Sequence, residues 1–311
     1  MAKKQGVQDG ASTATKIWVT LLILFGLAII GAFTAAVITL FNGAGGGYGA
    51  NVAVIPVEGV LVANDDGSFG SGVAASDTLL EDIRKAEGES SIKAVIFRIN
   101  SPGGSAVASD EVATAIRRMQ KPSVAVIREV GASGAYWVAS ATDHVVANPM
   151  SVTGSIGVLG SYLSFGRFLE HWNVTYNQLI SGEMKDVGTP FRELTPQERL
   201  FLQQKLDAIH EYFLQSVAEN RNMSAEQVRP LADGRFFLGS EAKENGLVDQ
   251  LGGEEEALDW INATIKAEPV TVVYEHRRSL LDVLTSLSAQ RSLTPAAALQ
   301  AMQEESVPMA R

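Results

Sequence analysis

Between residues 17 and 41 the chain carries no charged side chain, only 25 positions dense in Leu, Ile, Val, Ala and Phe. A helix of that length rises roughly 37 Å at ~1.5 Å per residue, enough to span a ~30 Å hydrocarbon core with some tilt. The pattern predicts one transmembrane helix. Residues 42–50, rich in glycine, predict a flexible tether. From Asn51 onward short apolar runs alternate with helical spacing. Residues 52–57, 95–99, 123–127 and 144–147 read as strands, with a polar loop over 64–72. Residues 76–87, 109–119 and 134–142 read as helices; the first places Leu79, Leu80 and Ile83 on one face, with Ser76 or Asp77 as its cap. This alternation predicts an α/β domain with parallel strand pairing.

Beyond Leu194 the pattern turns helical. Thr195, Pro196 and Glu198 give a capping box with proline in the first turn, opening a long helix to about Asn220. Ser224 and Gln227 repeat the signature for a shorter helix. Residues 239–245 and 254–267 suggest further helices, 174–180 and 270–274 strand-like runs. The tail from Ser279 is weakly amphipathic, with Leu280, Leu281, Leu284 and Leu287 on one side, suited either to core packing or to an oligomer contact. The organisation predicted is a tail (1–16), an anchor (17–41), a tether (42–50), an α/β domain with its helical extension (51–268) and a C-terminal strand with helical tail (269–311).

Charge orients this plan. Lys3, Lys4 and Lys16 against Asp9 place the first 16 residues in the cytoplasm and the domain after Phe41 on the extracytoplasmic side of the cell membrane. The competing interpretation is a cleaved secretory signal, with small residues near Ala32, Ala35 and Ala36 as the cut site. Without those three lysines and one aspartate the remainder holds 22 basic and 34 acidic residues, a net of −12. Such acidity argues against nucleic acid or an anionic lipid surface as partner. The absence of cysteine excludes disulfides, thiolate catalysis and Cys-ligated metals. His144, His171, His210 and His276 form no short metal-ligand spacing, so no metal and no cofactor are expected.

Chemistry must then come from hydroxyls, carboxylates, lysines and backbone amides. Residues 98–104, Arg-Ile-Asn-Ser-Pro-Gly-Gly, lie between a predicted strand and a helix, where exposed amides bind a developing oxyanion or simply make a turn. Residues 131–137, Gly-Ala-Ser-Gly-Ala-Tyr-Trp, occupy a similar junction. There Ser133 has small neighbours that admit a substrate backbone, or it merely caps a helix. A nucleophilic serine needs a base. His144 lacks an evident carboxylate orienter and reads as structural. A lysine serves only when neutral: from a reference pKa of ~10.4, half-neutrality at pH 7 needs a shift of ~3.4 units, about 4.6 kcal/mol, which burial supplies. The base is therefore expected in a partly enclosed segment. Lys185 is one candidate, although it also reads as a solvated loop lysine.

Taken together and in order, these strings resemble the SppA family of signal peptide peptidases in its short, single-copy form. The resemblance runs from about Val52 to Gly253 and rests on several landmarks. They are Asn-Ser-Pro-Gly-Gly at 100–104, Ala-Ser-Gly at 132–134 with Tyr136, Ala-Asn-Pro at 147–149 and Thr-Gly-Ser-Ile-Gly at 153–157. Gly182-x-x-Lys185 with Pro-Phe-Arg at 190–192, Gly-Arg at 234–235 and Gly-Leu-Val-Asp at 246–249 follow. It implies a Clp/crotonase-type fold of stacked βαβ units and a Ser–Lys peptidase. By motif position Ser133 is the nucleophile, Lys185 the general base and Ser155 the hydroxyl that orients the lysine, with Gly104 and Gly134 the candidate oxyanion-hole amides. The implied substrates are cleaved signal peptides left in the membrane. Double-length relatives draw serine and lysine from different halves, so a single-copy chain is expected to form a homo-oligomeric ring with shared sites. Ala135 departs from the glycine often found there and is expected to narrow the pocket. A Clp-type peptidase with another client, a crotonase-like acyl-CoA enzyme and a silent scaffold are the alternatives. Anchoring, acidity and Lys185 weigh against the CoA reading.

Overall fold

The computed structural model describes residues 13–43, 49–64 and 72–274. The chain divides into two units, Met1–Val273 and Tyr274–Arg311. Of the second only Tyr274 is described, so the helical tail expected from Ser279 lies outside the described residues, as do 44–48 of the tether and 65–71 of the polar loop.

The first unit runs α1 (Thr13–Gly43), β1 (Val52–Glu58), β2 (Val60–Val62), β3 (Val73–Ala75), α2 (Ser76–Gly88), β4 (Ala94–Ser101) and α3 (Ala106–Arg118). It continues with β5 (Ser123–Ala132), α4 (Gly134–Ser140), β6 (His144–Ala147), β7 (Val152–Gly154), α5 (Gly166–His171) and α6 (Pro196–Asn220). The last elements are α7 (Ala225–Val228), β8 (Phe236–Leu238), α8 (Gly239–Glu244), β9 (Gln250–Leu251), α9 (Glu254–Ile265) and β10 (Thr271–Val273).

The main sheet has the order β10-β1-β4-β5-β6-β9, with β7 paired to the far end of β5 and β8 paired to β7. Every pair is parallel except β7 with β8. The mixed α/β architecture expected from the alternation is therefore the one formed, and it is consistent with a Clp/crotonase-type fold. Val52, Ala53, Val54 and Ile55 are all fully buried, as are Ala94 to Phe97. Helices cover both faces of a parallel sheet, which is why these strands read as unbroken apolar runs rather than alternating ones. On one face Val52, Val54, Ile96, Val124 and Val126 pack against Ala257 and Ile261 of α9.

Capping was legible where it is local. Thr195 and Glu198 exchange the two bonds of a capping box at 3.2 and 2.8 Å, and Ser224 and Gln227 do the same. At α2 the expectation fails. The cap is Ala75, without a side-chain bond, because Ser76 is buried and its hydroxyl donates across to Glu111 of α3 at 2.8 Å. The strand-like run 174–180 also forms no regular element. Val174, Leu179 and Ile180 are exposed, and no described strand pairs with them. Strand propensity without a pleated surface to pack on does not make a strand.

α1 covers the predicted anchor. Its described side chains, Trp18 and residues 20–34, extend over about 25 Å at ~1.5 Å per residue. Among the described residues no helix is long and apolar enough to cross a membrane, so the fold does not bear out the expected transmembrane helix.

Candidate active site

β4 and β5 run side by side and end together. Their register jumps between Ile99↔Ile127 and Ser101↔Gly131, leaving β5 two residues longer over that stretch. The interruption is tied by the Asn100 side chain, which accepts the Val130 N–H at 3.3 Å. Bulges of this kind re-aim a strand end. Here the bulge carries the far part of β5 onto β7, pairing Ala132 with Gly154, and the Thr153 hydroxyl donates to Gly131 O at 2.7 Å.

Ser133 follows immediately, with φ 54° and ψ −126°. A non-glycine residue in that region is held there by its surroundings, at a cost on the order of 1–3 kcal/mol. Its N–H donates to Gly154 O at 2.8 Å, and its side chain makes no capping bond to α4. The plain helix-cap interpretation is thereby removed. Ser155 sits just past β7, also left-handed at φ 51°. Its N–H donates to Arg235 O at 2.9 Å and its hydroxyl to Gly234 O at 3.3 Å. Both serines line one cavity of about 550 Å³, together with Gly157, Gly234 and, from α6, Leu206 and His210.

The 101–105 turn abuts this corner. A Cβ on Gly103, whose φ is +94°, would lie 2.6 Å from Gly134 N and 2.9 Å from Ser133 Cβ. One on Gly134 would meet Ser109 Oγ at 2.2 Å and lie 3.4 Å from Gly104 N. Only glycines allow such an approach of two backbones. β2 fixes the turn from the other side: Leu61 N–H donates to Gly103 O at 2.9 Å and Ser105 N–H to Leu61 O at 2.8 Å. The Gly104 N–H between them has no backbone acceptor among the described residues. Gly134 is the first residue of α4, whose early amides have no intrahelical acceptor. Two unpaired donors thus stand beside Ser133.

The structure also places Lys185 and Ala135 and adds one residue to the cavity. Lys185 is exposed and does not line the Ser133 cavity; its turn is closed by its own N–H donating to Gly182 O at 3.0 Å. Within one chain Lys185 is therefore not enclosed beside Ser133. Ala135 is fully buried and lies outside the cavity lining, so its methyl fills the core and does not narrow the pocket. Finally, His210, not singled out for chemistry from the sequence, brings a buried Nε2 without a partner to the same cavity. Gln203, Leu206, Asp207 and His210 recur on one helical face, the only sequence signal that could have found this wall. His144 stacks on Trp260 at 5.0 Å and bonds Gln250 at 3.2 Å, and, against the expectation of no carboxylate beside it, Asp249 Oδ2 lies 3.9 Å from its Nδ1; it does not line the Ser133 cavity.

Asp233, on the cavity rim, is pushed down to about 2 by its hydrogen bond from Arg235. Behind α4 the Tyr136 hydroxyl donates to Leu247 O at 2.8 Å, and burial pushes the phenol far above its usual range. Among the described residues no cluster of three or more His, Asp or Glu is placed to hold a metal ion.

A strained serine at a strand-to-helix turn, beside two free amides, is an arrangement suited to acyl transfer. Comparison with known proteins agrees. Residues 115–268 match peptidase family S49. The chain is 33% identical over 261 residues to the Methanocaldococcus jannaschii protein named "Putative protease MJ0651", covering 78% of this chain and 81% of that one. It is 34% identical over 197 residues to an Enterococcus faecium protein named "Putative signal peptide peptidase SppA", covering 62% and 57%. With protease 4 of Haemophilus influenzae it shares 34% over 227 residues, 72% of this chain but 36% of that longer protein. Sequence, fold and this serine corner together show that the chain belongs to peptidase family S49.

Proposed function

We propose that the protein is a serine endopeptidase in which Ser133 of one subunit works with Lys185 of a neighbouring subunit. The observation that carries this reading is the split within one chain. Ser133 and Ser155 share a built cavity, while Lys185 stands exposed on a different segment. That segment, residues 158–195, exposes Leu159, Leu163, Phe168, Trp172 and Leu179. So many large apolar side chains on one stretch mark a protein-contact surface. A second copy laid over it would cover these groups and remove Lys185 from water, which lowers the cost of the neutral amine.

In this reading the neutral lysine amine takes the Ser133 proton as the oxygen attacks a peptide carbonyl carbon. The oxyanion is held by the Gly104 and Gly134 amides, with Ser155 aiming the amine. Lysinium then protonates the leaving nitrogen, and water, deprotonated by the same lysine, hydrolyses the acyl-serine ester. Substrates are hydrophobic peptides such as cleaved signal peptides. This assignment is supported by the likeness to the Enterococcus faecium protein. We further propose, from the uncharged run 17–41 and the lysines before it, that α1 anchors the catalytic domain outside the cytoplasm.

Mixing tests the central claim. Ser133→Ala and Lys185→Ala chains, each inactive alone, regain roughly a quarter of the sites when co-assembled at random, because one site in four pairs an intact serine with a neighbour's intact lysine. No activity in a verified mixed assembly would place both groups in one chain and end the shared-site reading.

A further inference from the structure

The turn that carries Lys185 has no strand or helix to hold it, yet one side chain binds it to the start of α6. Arg192 donates to Asp186 Oδ2 from Nε at 3.1 Å and from Nη2 at 2.6 Å. It donates to Glu198 from Nη1 at 2.8 Å and from Nη2 at 2.6 Å. The Asp186 and Glu198 side chains are only 9% and 6% exposed. Glu198 is at the same time the third residue of the capping box that starts α6. The guanidinium therefore links the residue next to Lys185 to a helix terminus whose direction is already fixed.

We propose that Arg192 is the positioning residue for Lys185: its fork ties Asp186 to Glu198, so that the lysine turn is presented at a set place and Asp186, next to Lys185 in sequence, carries no uncompensated charge. The proposal rests on Lys185 being the base. The planar fork is what the site requires. A guanidinium serves two carboxylates at once, whereas an ammonium lacks its fixed, planar set of donors. The hydrogen bonds from Arg192 hold both carboxyls below the usual range, Glu198 down to about 2. The charged groups gathered at this place are Glu183 and Asp186 from the turn, Arg192 from the strand-less stretch after it, and Glu198 from α6. Without the arginine, Glu183, Asp186 and Glu198 would be left there without a cation, their added negative charge on the turn that carries Lys185.

The test is steady-state hydrolysis of a hydrophobic peptide across pH by the full chain and by Arg192→Gln, Arg192→Lys, Lys185→Ala and the double variant Arg192→Gln/Asp186→Asn. Thermal melting and light scattering confirm fold and assembly. Arg192→Gln is expected to lower kcat roughly 10–100-fold with KM within about twofold, and to move the alkaline rise of the rate up by roughly one pH unit. Arg192→Lys recovers part of the rate. Adding Asp186→Asn to Arg192→Gln returns the pH rise toward its original place but leaves kcat low, because the charge is removed and the tie is still missing. A merely structural arginine would reduce activity in step with the folded fraction and leave the pH profile unmoved; that result, or Arg192→Gln turning over within twofold of the parent, overturns the proposal while Lys185→Ala stays inactive. Full activity in Lys185→Ala would instead defeat the base assignment itself, and this inference with it.

Discussion

The corner around Ser133 and the stretch 158–195 are built on opposite plans. In the corner every turn is pinned: Ser133 by Gly154, Ser155 by Arg235, Gly103 and Ser105 by Leu61. The stretch beyond Val158 contains only the six-residue α5 as regular structure and leaves most of its large apolar side chains in solvent. Burial and hydrogen bonding stabilise the first within one chain. The second has apolar area with nothing of its own chain to cover it. The contrast teaches that the fold and the completed site are separate problems: one chain suffices to build the serine corner, whereas in the shared-site reading proposed above the lysine's surroundings come from a neighbouring subunit.

The most damaging break in the corner is chemical. Ser133→Ala and Lys185→Arg are each expected to lower peptide turnover by about 10³-fold or more while melting like the parent, since guanidinium does not deprotonate at usable pH. Labelling by a fluorophosphonate probe should disappear in Ser133→Ala. Retained turnover in Lys185→Arg would move the base elsewhere, and His210, already in the cavity, is the next histidine to substitute.

Next in size is Gly103→Ala, for which the structure leaves no space beside Gly134 N. A loss of about 10²-fold in kcat is expected from displaced amides. Unchanged kcat would show that the turn takes no part in the chemistry.

Stability should separate the two regions. Phe97→Ala, at a fully buried position of β4, should cost about 3–5 kcal/mol in denaturant unfolding. Leu179→Ala, fully exposed, should stay within about 0.5 kcal/mol. Leu179→Glu together with Trp172→Glu should nevertheless reduce oligomer mass and activity with the melting temperature of the subunit kept. Equal stability losses at Phe97 and Leu179 would erase the distinction drawn here.

The smallest effect concerns acid. The Glu198 carboxyl, ordinarily at 4.5, is held down to about 2, chiefly by Arg192. A depressed carboxylate contributes stability above its unfolded value and loses it as pH falls through the folded one. Unfolding measured between pH 5 and 2 should show this slope, flattened in Glu198→Gln; an identical slope in both proteins would assign the acid sensitivity to other carboxylates.

Much of the sheet could be read in advance because β1, β4, β5 and β6 each hold a continuous apolar run, at 52–57, 94–97, 124–127 and 145–147, that need only be covered on both faces. The serine was legible for a different reason: small residues around Ser133 leave a local mark. β2, β3, β7, β8 and β9 were missed, being two or three residues each and stabilised by neighbours remote in sequence, as when Thr153 bonds Gly131. The failed cap at Ser76 has the same origin, since Glu111 competes for the hydroxyl from another helix.

By itself the sequence determined what depends on near neighbours: the strand–helix alternation, the capping boxes at Thr195 and Ser224, the glycine turns and the lack of thiol chemistry. Only the tertiary structure decided which turns meet, that Ser155 shares a cavity with Ser133, that α6 supplies its wall, and that Lys185 stands outside it. The reason is physical. Periodicity and backbone preference act over a few residues, whereas a site is made by contacts between residues tens of positions apart, whose geometry exists only once the sheet has brought the strand ends together.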